Sequence, residues 1–316
     1  MLASVGGALQ VLSRKSNGDP MLRSFSRSAR RVAAGLVSVL ALGFAGTALA
    51  EPALWAVKDK DSTIYLFGTI HVLKPDTKWR SAKIDQALKT SGDLTLEIIG
   101  ADDPATMQPL VLKYGLDPAH PLSTKIAPDK FQHASTLAQG GGVPPQMLDM
   151  MRPWLAAVSL AMLPVIKAGY DPKSGVEQVL TQEVKAAGKP QNAFETPEQQ
   201  IRFFADLPAK TEADFLSATL DDVDEGVGKI DKMVAAWAAG DTVELESEFV
   251  SEMKGEYPEL YELLIVKRNQ DWARQLKTKL AGSGVSFVAV GSGHLVGPDS
   301  VQAQLAKLGI KAERVE

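Results

Sequence analysis

Two apolar runs near opposite ends of the chain lead into the same short motif, and this repetition constrains the fold strongly. Residues 64–67 are followed by Gly68 and, three residues later, by His71. Residues 287–290 are followed by Gly291 and, three residues later, by His294. Such apolar runs are typical of buried strands, and glycine permits a sharp turn or a close backbone approach where they end. The two histidines can meet only if their strands lie close together in one sheet.

The remaining pattern predicts strands near both ends of the chain, with helices between them. Residues 54–57 and 64–67 flank a polar turn, which is typical of a β-hairpin. The other predicted elements are, in chain order, a helix at 81–89, a strand at 94–98, helices from 104 to about 189, a strand at 191–194, a helix from 196, helices at 212–239 and 258–280, a strand at 285–290, a helix at 299–308 and a strand at 311–315. We therefore expect an α/β fold, in which a mixed central sheet is built from both ends of the chain and carries a large helical insertion at about residues 100–280.

The first fifty residues predict export from the cytoplasm. An apolar stretch over residues 32–49 closes in Ala48-Leu49-Ala50 and follows a run of four arginines, Arg23, Arg27, Arg30 and Arg31. A basic region, a short apolar region and an Ala-x-Ala exit are the three parts of a secretory signal peptide. We expect cleavage after Ala50, which leaves residues 51–316 as a single domain in the periplasm or outside the cell. Two alternatives stay open: the stretch is a retained membrane anchor, or translation starts at Met21 rather than Met1.

Charge and cysteine content exclude several classes of function. Residues 1–50 hold six of the 34 basic residues but one of the 38 acidic ones, so residues 51–316 are more negative than the whole chain, whose formal charge is −4. A domain this acidic lacks the basic cluster with which proteins bind nucleic acid or anionic lipid. The chain has no cysteine, which excludes disulfides, thiol catalysis and thiolate metal sites. No apolar run after residue 50 approaches the roughly 18 residues of a membrane span, and the sequence does not fix an oligomeric state.

The repeated histidines and two glutamates are the residues best placed for chemistry. Glu97 lies in the apolar run 94–98, where an unpaired charge is costly to bury. Glu195 repeats that setting, because it ends a short apolar run just before a predicted helix. Two histidines and a carboxylate suit a divalent metal that keeps one position open for water. His71, His294 and Glu97 are therefore the candidate metal ligands.

Each of these residues also has a purely structural explanation. Buried glutamates are usually paired, and Arg152 and Arg268 are both available as ion-pair partners for either glutamate. A lone histidine in a turn is commonly a hydrogen-bonded turn residue. The same setting at two distant points of the chain favours a functional role for the two histidines.

Six motifs together resemble a known family. They are Leu66-Phe67-Gly68-Thr69-Ile70-His71, Leu96-Glu97, Arg152-Pro153-Trp154-Leu155, Phe194-Glu195-Thr196, Arg268-Asn269 with Trp272, and Val290-Gly291-Ser292-Gly293-His294-Leu295-Val296-Gly297. In these residues and in their order the chain resembles the TraB/GumN family, which is related in pattern to the TIKI metalloproteases and more distantly to erythromycin esterase and ChaN-like proteins. The resemblance covers nearly all of residues 51–316. Arg152 departs from it, because a lysine or similar residue is expected there.

The resemblance implies a divalent metal at the active centre, with manganese, cobalt and zinc all compatible with the residue types. His71, His294 and Glu97 are the implied ligands, and Glu97 is also a candidate base for the attacking water. Glu195 is implied as a second acidic member. Three further residues match family positions to which the resemblance assigns no role, so that orienting the site and binding substrate both stay open: Arg152, Arg268 and Asn269.

Three functions follow as hypotheses. The first is a metal-dependent hydrolase of the cell envelope, acting on peptides or another small substrate. The second is a non-catalytic protein that binds a peptide or a haem-like ligand through the same histidines. The third is an accessory protein of envelope polysaccharide export, which uses the helical insertion as its interaction surface.

Overall fold

The computed structural model describes residues 51–315, so the predicted signal peptide lies outside the described residues. Six strands form one sheet: β1 Leu54–Lys58, β2 Ser62–Thr69, β3 Asp93–Leu96, β4 Gln191–Ala193, β5 Gly284–Gly291 and β6 Ala312–Arg314. Their order across the sheet is β4-β3-β5-β2-β1-β6. Strands β1, β2, β5 and β6 come from the two ends of the described chain. The predicted α/β class, with a mixed sheet and a helical middle section, is therefore confirmed.

Four neighbouring strands of the sheet are parallel. Strand β4 pairs in parallel with β3, β3 with β5, and β5 with β2. The predicted hairpin is confirmed, since β1 pairs antiparallel with β2, and β6 then adds antiparallel to β1. The carboxyl ends of β4, β3, β5 and β2 consequently meet at one edge of the sheet, which is where α/β proteins place their ligands.

Most of the helices lie between β3 and β5, on either side of β4 in the chain, while α1 precedes β3 and α14 follows β5. The α-helices are α1 Ala82–Thr90, α2 Pro104–Gly115, α3 Pro128–Gly140, α4 Pro145–Asp149, α5 Pro153–Lys167, α6 Val176–Ala186, α7 Pro197–Ala205, α8 Ala209–Glu225, α9 Gly228–Ala238, α10 Thr242–Leu245, α11 Glu252–Glu256, α12 Pro258–Tyr261, α13 Lys267–Leu280 and α14 Val301–Lys307. Within residues 51–315, none of the helices combines the length and the apolar character that crossing a bilayer requires.

Two long helices predicted from apolar spacing differ from the structure. The segment 212–239 is split between α8 and α9, because Gly226 takes a φ of 82°. That left-handed conformation is typical of a glycine that ends a helix. The segment 258–280 contains a π-helical turn, Glu262–Val266, between α12 and α13. A turn of this kind is rare and is frequent at functional sites.

The two strands that carry the Gly-x-x-His motifs lie in the middle of the apolar core. Phe67 and Phe287 are fully buried and pack in one cluster with Trp237. Their neighbours Leu66 and Val288 belong to a second cluster, because successive strand residues point to opposite faces of the sheet. Each fully buried phenylalanine contributes about 1.5–3 kcal/mol. Packing on both faces therefore fixes the positions of β2 and β5 and of the turns that follow them.

Candidate functional site

Each of the four parallel strands leads into one of the predicted site residues. His71 follows β2, His294 follows β5, Glu97 follows β3 and Glu195 follows β4. The backbone N–H of Glu195 donates to the carbonyl oxygen of Glu97 at 2.9 Å, which continues the pairing of β3 and β4 beyond their ends. The parallel topology thus gathers residues that are far apart in sequence at one edge of the sheet.

Glycine allows the two histidine motifs to lie side by side. Thr69 and Gly291 are register partners in β2 and β5. A Cβ at Gly68 would lie 3.0 Å from the Cα of Ser292, so a side chain there would push the two turns apart. A Cβ at Gly291 would lie 3.1 Å from Oε1 of Glu97. Glycine at this second position leaves room for the carboxylate, which accepts the Gly291 N–H at 2.7 Å.

The three predicted metal ligands surround Gly291. A Cβ added at Gly291 would lie 3.6 Å from Cδ2 of His294 and 3.8 Å from Nε2 of His71, in addition to its contact with Glu97. Side chains from the segments that follow β2, β3 and β5 therefore converge on one point. The structure brings these three residues together, as the sequence pattern predicted.

Arg268 on α13 joins the two glutamates to His294. Its Nη2 lies 2.6 Å from Oε2 of Glu97, its Nε lies 2.8 Å from Oε1 of Glu195, and its Nη1 lies 3.1 Å from Nε2 of His294. The exposed fraction of these four side chains ranges from 6% for His294 to 12% for Glu97. Burial alone would raise the pKa of Glu97, but the guanidinium, with smaller contributions from both histidines, holds that pKa well below its usual range. Of the two arginines that the sequence offered as partners, the structure selects Arg268.

Asn269, the next residue on α13, fixes which ring nitrogen of His294 carries the proton. Its amide nitrogen donates to the carbonyl of Asp299 at 2.8 Å, so its Oδ1 faces Nδ1 of His294, at 2.6 Å. Nδ1 therefore carries the proton and donates it, and Nε2 accepts from Arg268, which has donors but no acceptor. Burial, followed by the charge of Arg268, lowers the pKa of His294 to about 3. His294 is neutral at physiological pH.

Two further side chains hold the glutamates in place. Nε2 of Gln200 lies 3.0 Å from Oε2 of Glu97 and 3.0 Å from Oε2 of Glu195. Nε1 of Trp272 donates to Oε1 of Glu195 at 2.9 Å. Since buried polar groups are costly unless paired, these contacts allow two buried carboxylates to lie side by side.

Glu177 is a site residue that the sequence analysis missed. Its Oε1 lies 2.7 Å from Nδ1 of His71, and it also accepts a hydrogen bond from the hydroxyl of Thr69. Gly175 makes this approach feasible, because a Cβ there would overlap the carbonyl group of His71. Glu177 lies in the first turn of α6, where an acidic side chain is common because it offsets the helix dipole. Its sequence setting therefore carries no sign of a second role.

His71 differs from His294 in the direction of its pKa shift and in exposure. Its side chain is 39% exposed, and the negative charge of Glu177 raises its pKa above the ordinary value. The pairing with Glu177 uses Nδ1, so Nε2 on the other side of the ring faces the centre at Gly291. A carboxylate that fixes a histidine through Nδ1 leaves Nε2 positioned to exchange a proton.

We expect a nuclear magnetic resonance titration to separate the two histidines. His71 should titrate above the ordinary histidine pKa of about 6.5, because Glu177 stabilises the protonated ring. His294 should stay neutral until the pH approaches its pKa of about 3. Glu177→Gln removes the negative charge and should lower the pKa of His71, while His294 serves as the internal control. An unchanged pKa of His71 in this variant would refute the pairing.

The predicted metal ligands do not fit a metal ion as they are placed. Oε2 of Glu97 and Nε2 of His294 both face Arg268, and Oε1 of Glu97 accepts the Gly291 N–H. Within the part of the chain that the structure describes, no group of three or more histidine, aspartate or glutamate side chains is arranged to hold a metal. The described geometry therefore supports no chemical step through a metal held by these residues.

Arg152 makes its contacts in the helical section rather than with the other predicted site residues. It pairs with Glu212 and donates to the carbonyls of Ala205 at 2.7 Å and Tyr114 at 3.2 Å. These contacts connect the start of α5 to α2, α7 and α8. The structure thus brings together His71, Glu97, Glu195, Arg268, Asn269 and His294, and it places Arg152 in helix packing.

The fold and this centre define a class: an α/β protein whose parallel strands lead into two histidines and two glutamates, with a buried arginine in contact with both glutamates and one of the histidines. The chain belongs to the TraB/PrgY/gumN family, whose model matches residues 53–314. The family resemblance drawn from the motifs is confirmed. A search of the curated proteins finds no match, and a search of the solved structures finds none either.

Proposed function

We propose that the protein is a hydrolase of the cell envelope that acts on peptides. The observation that carries the proposal is the position of His71: one ring nitrogen pairs with Glu177, and the other faces the polar centre from a half-exposed side chain. A histidine oriented by a carboxylate is a common general base. The neighbouring buried residues Glu97, Glu195 and Arg268 hold each other in fixed positions and so provide a rigid wall behind it.

In the proposed reaction, Nε2 of His71 takes a proton from a water molecule, and the resulting hydroxide attacks the carbonyl carbon of the scissile amide. The carbon–nitrogen bond then breaks, and the leaving amine takes the proton back from the imidazolium. Water is thus divided between the two products, and His71 returns to its starting state. The negative charge of Glu177 stabilises the imidazolium that forms between these steps.

The substrate class and location are supported by the sequence rather than by the geometry. Peptides are proposed because the motifs resemble those of the TIKI metalloproteases. The envelope location is proposed because residues 1–50 have the three parts of an export signal.

Hydrolysis can be tested with a mixture of peptides in water enriched in oxygen-18. Purified protein is incubated with the mixture, and the products are read by mass spectrometry, in chelator and with added manganese, cobalt or zinc. We expect new peptides whose fresh carboxyl group carries the heavy oxygen, because the attacking oxygen comes from water. Peptides that are retained but not cleaved under every condition would overturn the hydrolase and favour the binding protein.

A further inference from the structure

The guanidinium of Arg268 has all of its hydrogen-bonding capacity satisfied within the described residues. Nε and Nη2 both donate to the carboxylate of Glu195, and Nη2 also donates to Glu97. Nη1 lies 3.1 Å from Nε2 of His294 and 3.2 Å from the carbonyl oxygen of Leu264 in the π-helical turn. An arginine has five N–H donors, so each donor has an acceptor. The side chain is built into the centre and is not a free contact for substrate.

Two aromatic rings hold the same group. The guanidinium carbon lies 4.7 Å from the ring centre of Trp272 and 5.3 Å from that of Phe203. Arginine, which is planar and weakly hydrated, suits such a position better than lysine does. The cation is therefore fixed by its aromatic neighbours as well as by its hydrogen bonds.

The acceptors of Arg268 are the groups that a divalent metal would need. Glu97 and Glu195 supply two buried negative charges, which require a positive charge nearby. Asn269 fixes the proton of His294 on Nδ1, so the lone pair of Nε2 points to the guanidinium. Two carboxylates and a neutral imidazole thus converge on one point, as metal ligands do, and the protein's own cation lies there.

We propose that Arg268 takes the place of a metal ion in this centre. The wild-type centre then holds no divalent metal through Glu97 and His294, and removal of the guanidinium creates a metal site from Glu97, Glu195 and His294. The inference concerns the residues of the proposed hydrolase, but its test needs no substrate. A failure to find hydrolysis and a failure of this inference are therefore distinguishable.

The test compares metal binding by the wild-type protein and by Arg268→Met. Both are stripped with chelator, titrated with manganese, cobalt and zinc, and analysed for metal content and melting temperature. We expect no stoichiometric metal in the wild type and no shift of its melting temperature. We expect Arg268→Met to bind at least one of the metals about tenfold or more tightly than the wild type, with a rise in melting temperature that reflects binding to the folded state.

Two controls address charge and position. Arg274→Met removes an arginine from the exposed side of the same helix and should gain no metal. Arg268→Met combined with Glu195→Gln removes one positive and one negative charge, so the net charge of the cluster is unchanged. This double variant should still gain metal through Glu97 and His294, and it replaces the single variant if that one does not fold.

Two results would overturn the inference. The first is stoichiometric metal in the wild type that is lost in His294→Ala. The second is a folded Arg268→Met protein, or a folded double variant, that binds metal no better than the wild type.

Discussion

Replacing His71 with alanine is expected to reduce peptide hydrolysis by about 10²–10⁴-fold, which is the usual contribution of a general base. The change removes the ring whose Nε2 faces the centre, and Glu177 then has no imidazolium to stabilise. The side chain is 39% exposed, so its removal should leave the fold intact. The measurement is kcat/KM on a peptide cleaved by the wild-type protein, with a thermal melt to show that the variant is folded.

His133→Ala is the matched control for this prediction. His133 is also a partly exposed histidine paired with a carboxylate, because its Nε2 lies 3.1 Å from Asp224. It belongs to α3 in the helical section, and its loss should leave hydrolysis unchanged. Full activity in His71→Ala, or equal losses in the two variants, would remove His71 from the reaction.

Replacing Arg268 with methionine is expected to lower the free energy of unfolding by about 3–5 kcal/mol, because it leaves buried charge without a partner. Two carboxylates are affected, since both Glu97 and Glu195 pair with this guanidinium, which is 10% exposed. The loss should be smaller for Arg268→Met combined with Glu195→Gln, which leaves one carboxylate without a partner. Urea unfolding of the variants in chelator measures the difference.

Arg274→Met is the control on the same helix. Arg274 is 63% exposed, and its pair with Asp271 is at the surface, so the expected change is within about 0.5 kcal/mol. If Arg268→Met proved as stable as Arg274→Met, the network around Glu97 and Glu195 would not be the rigid element described above.

The sequence predicted the strands and the residues at their ends for a clear physical reason. Buried parallel strands are short apolar runs, and a polar residue just after such a run stands out from its surroundings. His71 and His294 were found because the same Gly-x-x-His motif follows two such runs, and Glu97 and Glu195 because each is a charge within or at the end of an apolar run. The parallel pairing of β2 with β5 then places the two histidine motifs together, as the repeated pattern required.

The sequence could not show which side chains pair with each other. Arg152 and Arg268 are both arginines near apolar residues, and only the packing of α13 against the sheet shows which of them reaches the glutamates. Glu177 has a sequence setting that helix stability alone explains. The break at Gly226 was also missed, since a single glycine in an amphipathic pattern is compatible with a continuous helix. For Arg268 and Glu177 the deciding contact joins residues that are distant in the chain, whereas the break at Gly226 depends on the local backbone conformation.

Strand β5 lies between β3 and β2 in the sheet, although it is made after all the other strands except β6. A chain that stops before residue 284 would leave both neighbours with an open edge, and open edges pair readily with other chains. Premature termination should therefore produce aggregation and degradation rather than a weakened protein. Pairing of β5 completes the sheet and also places His294 in the centre. Closure of the sheet and assembly of the centre therefore depend on the same late segment.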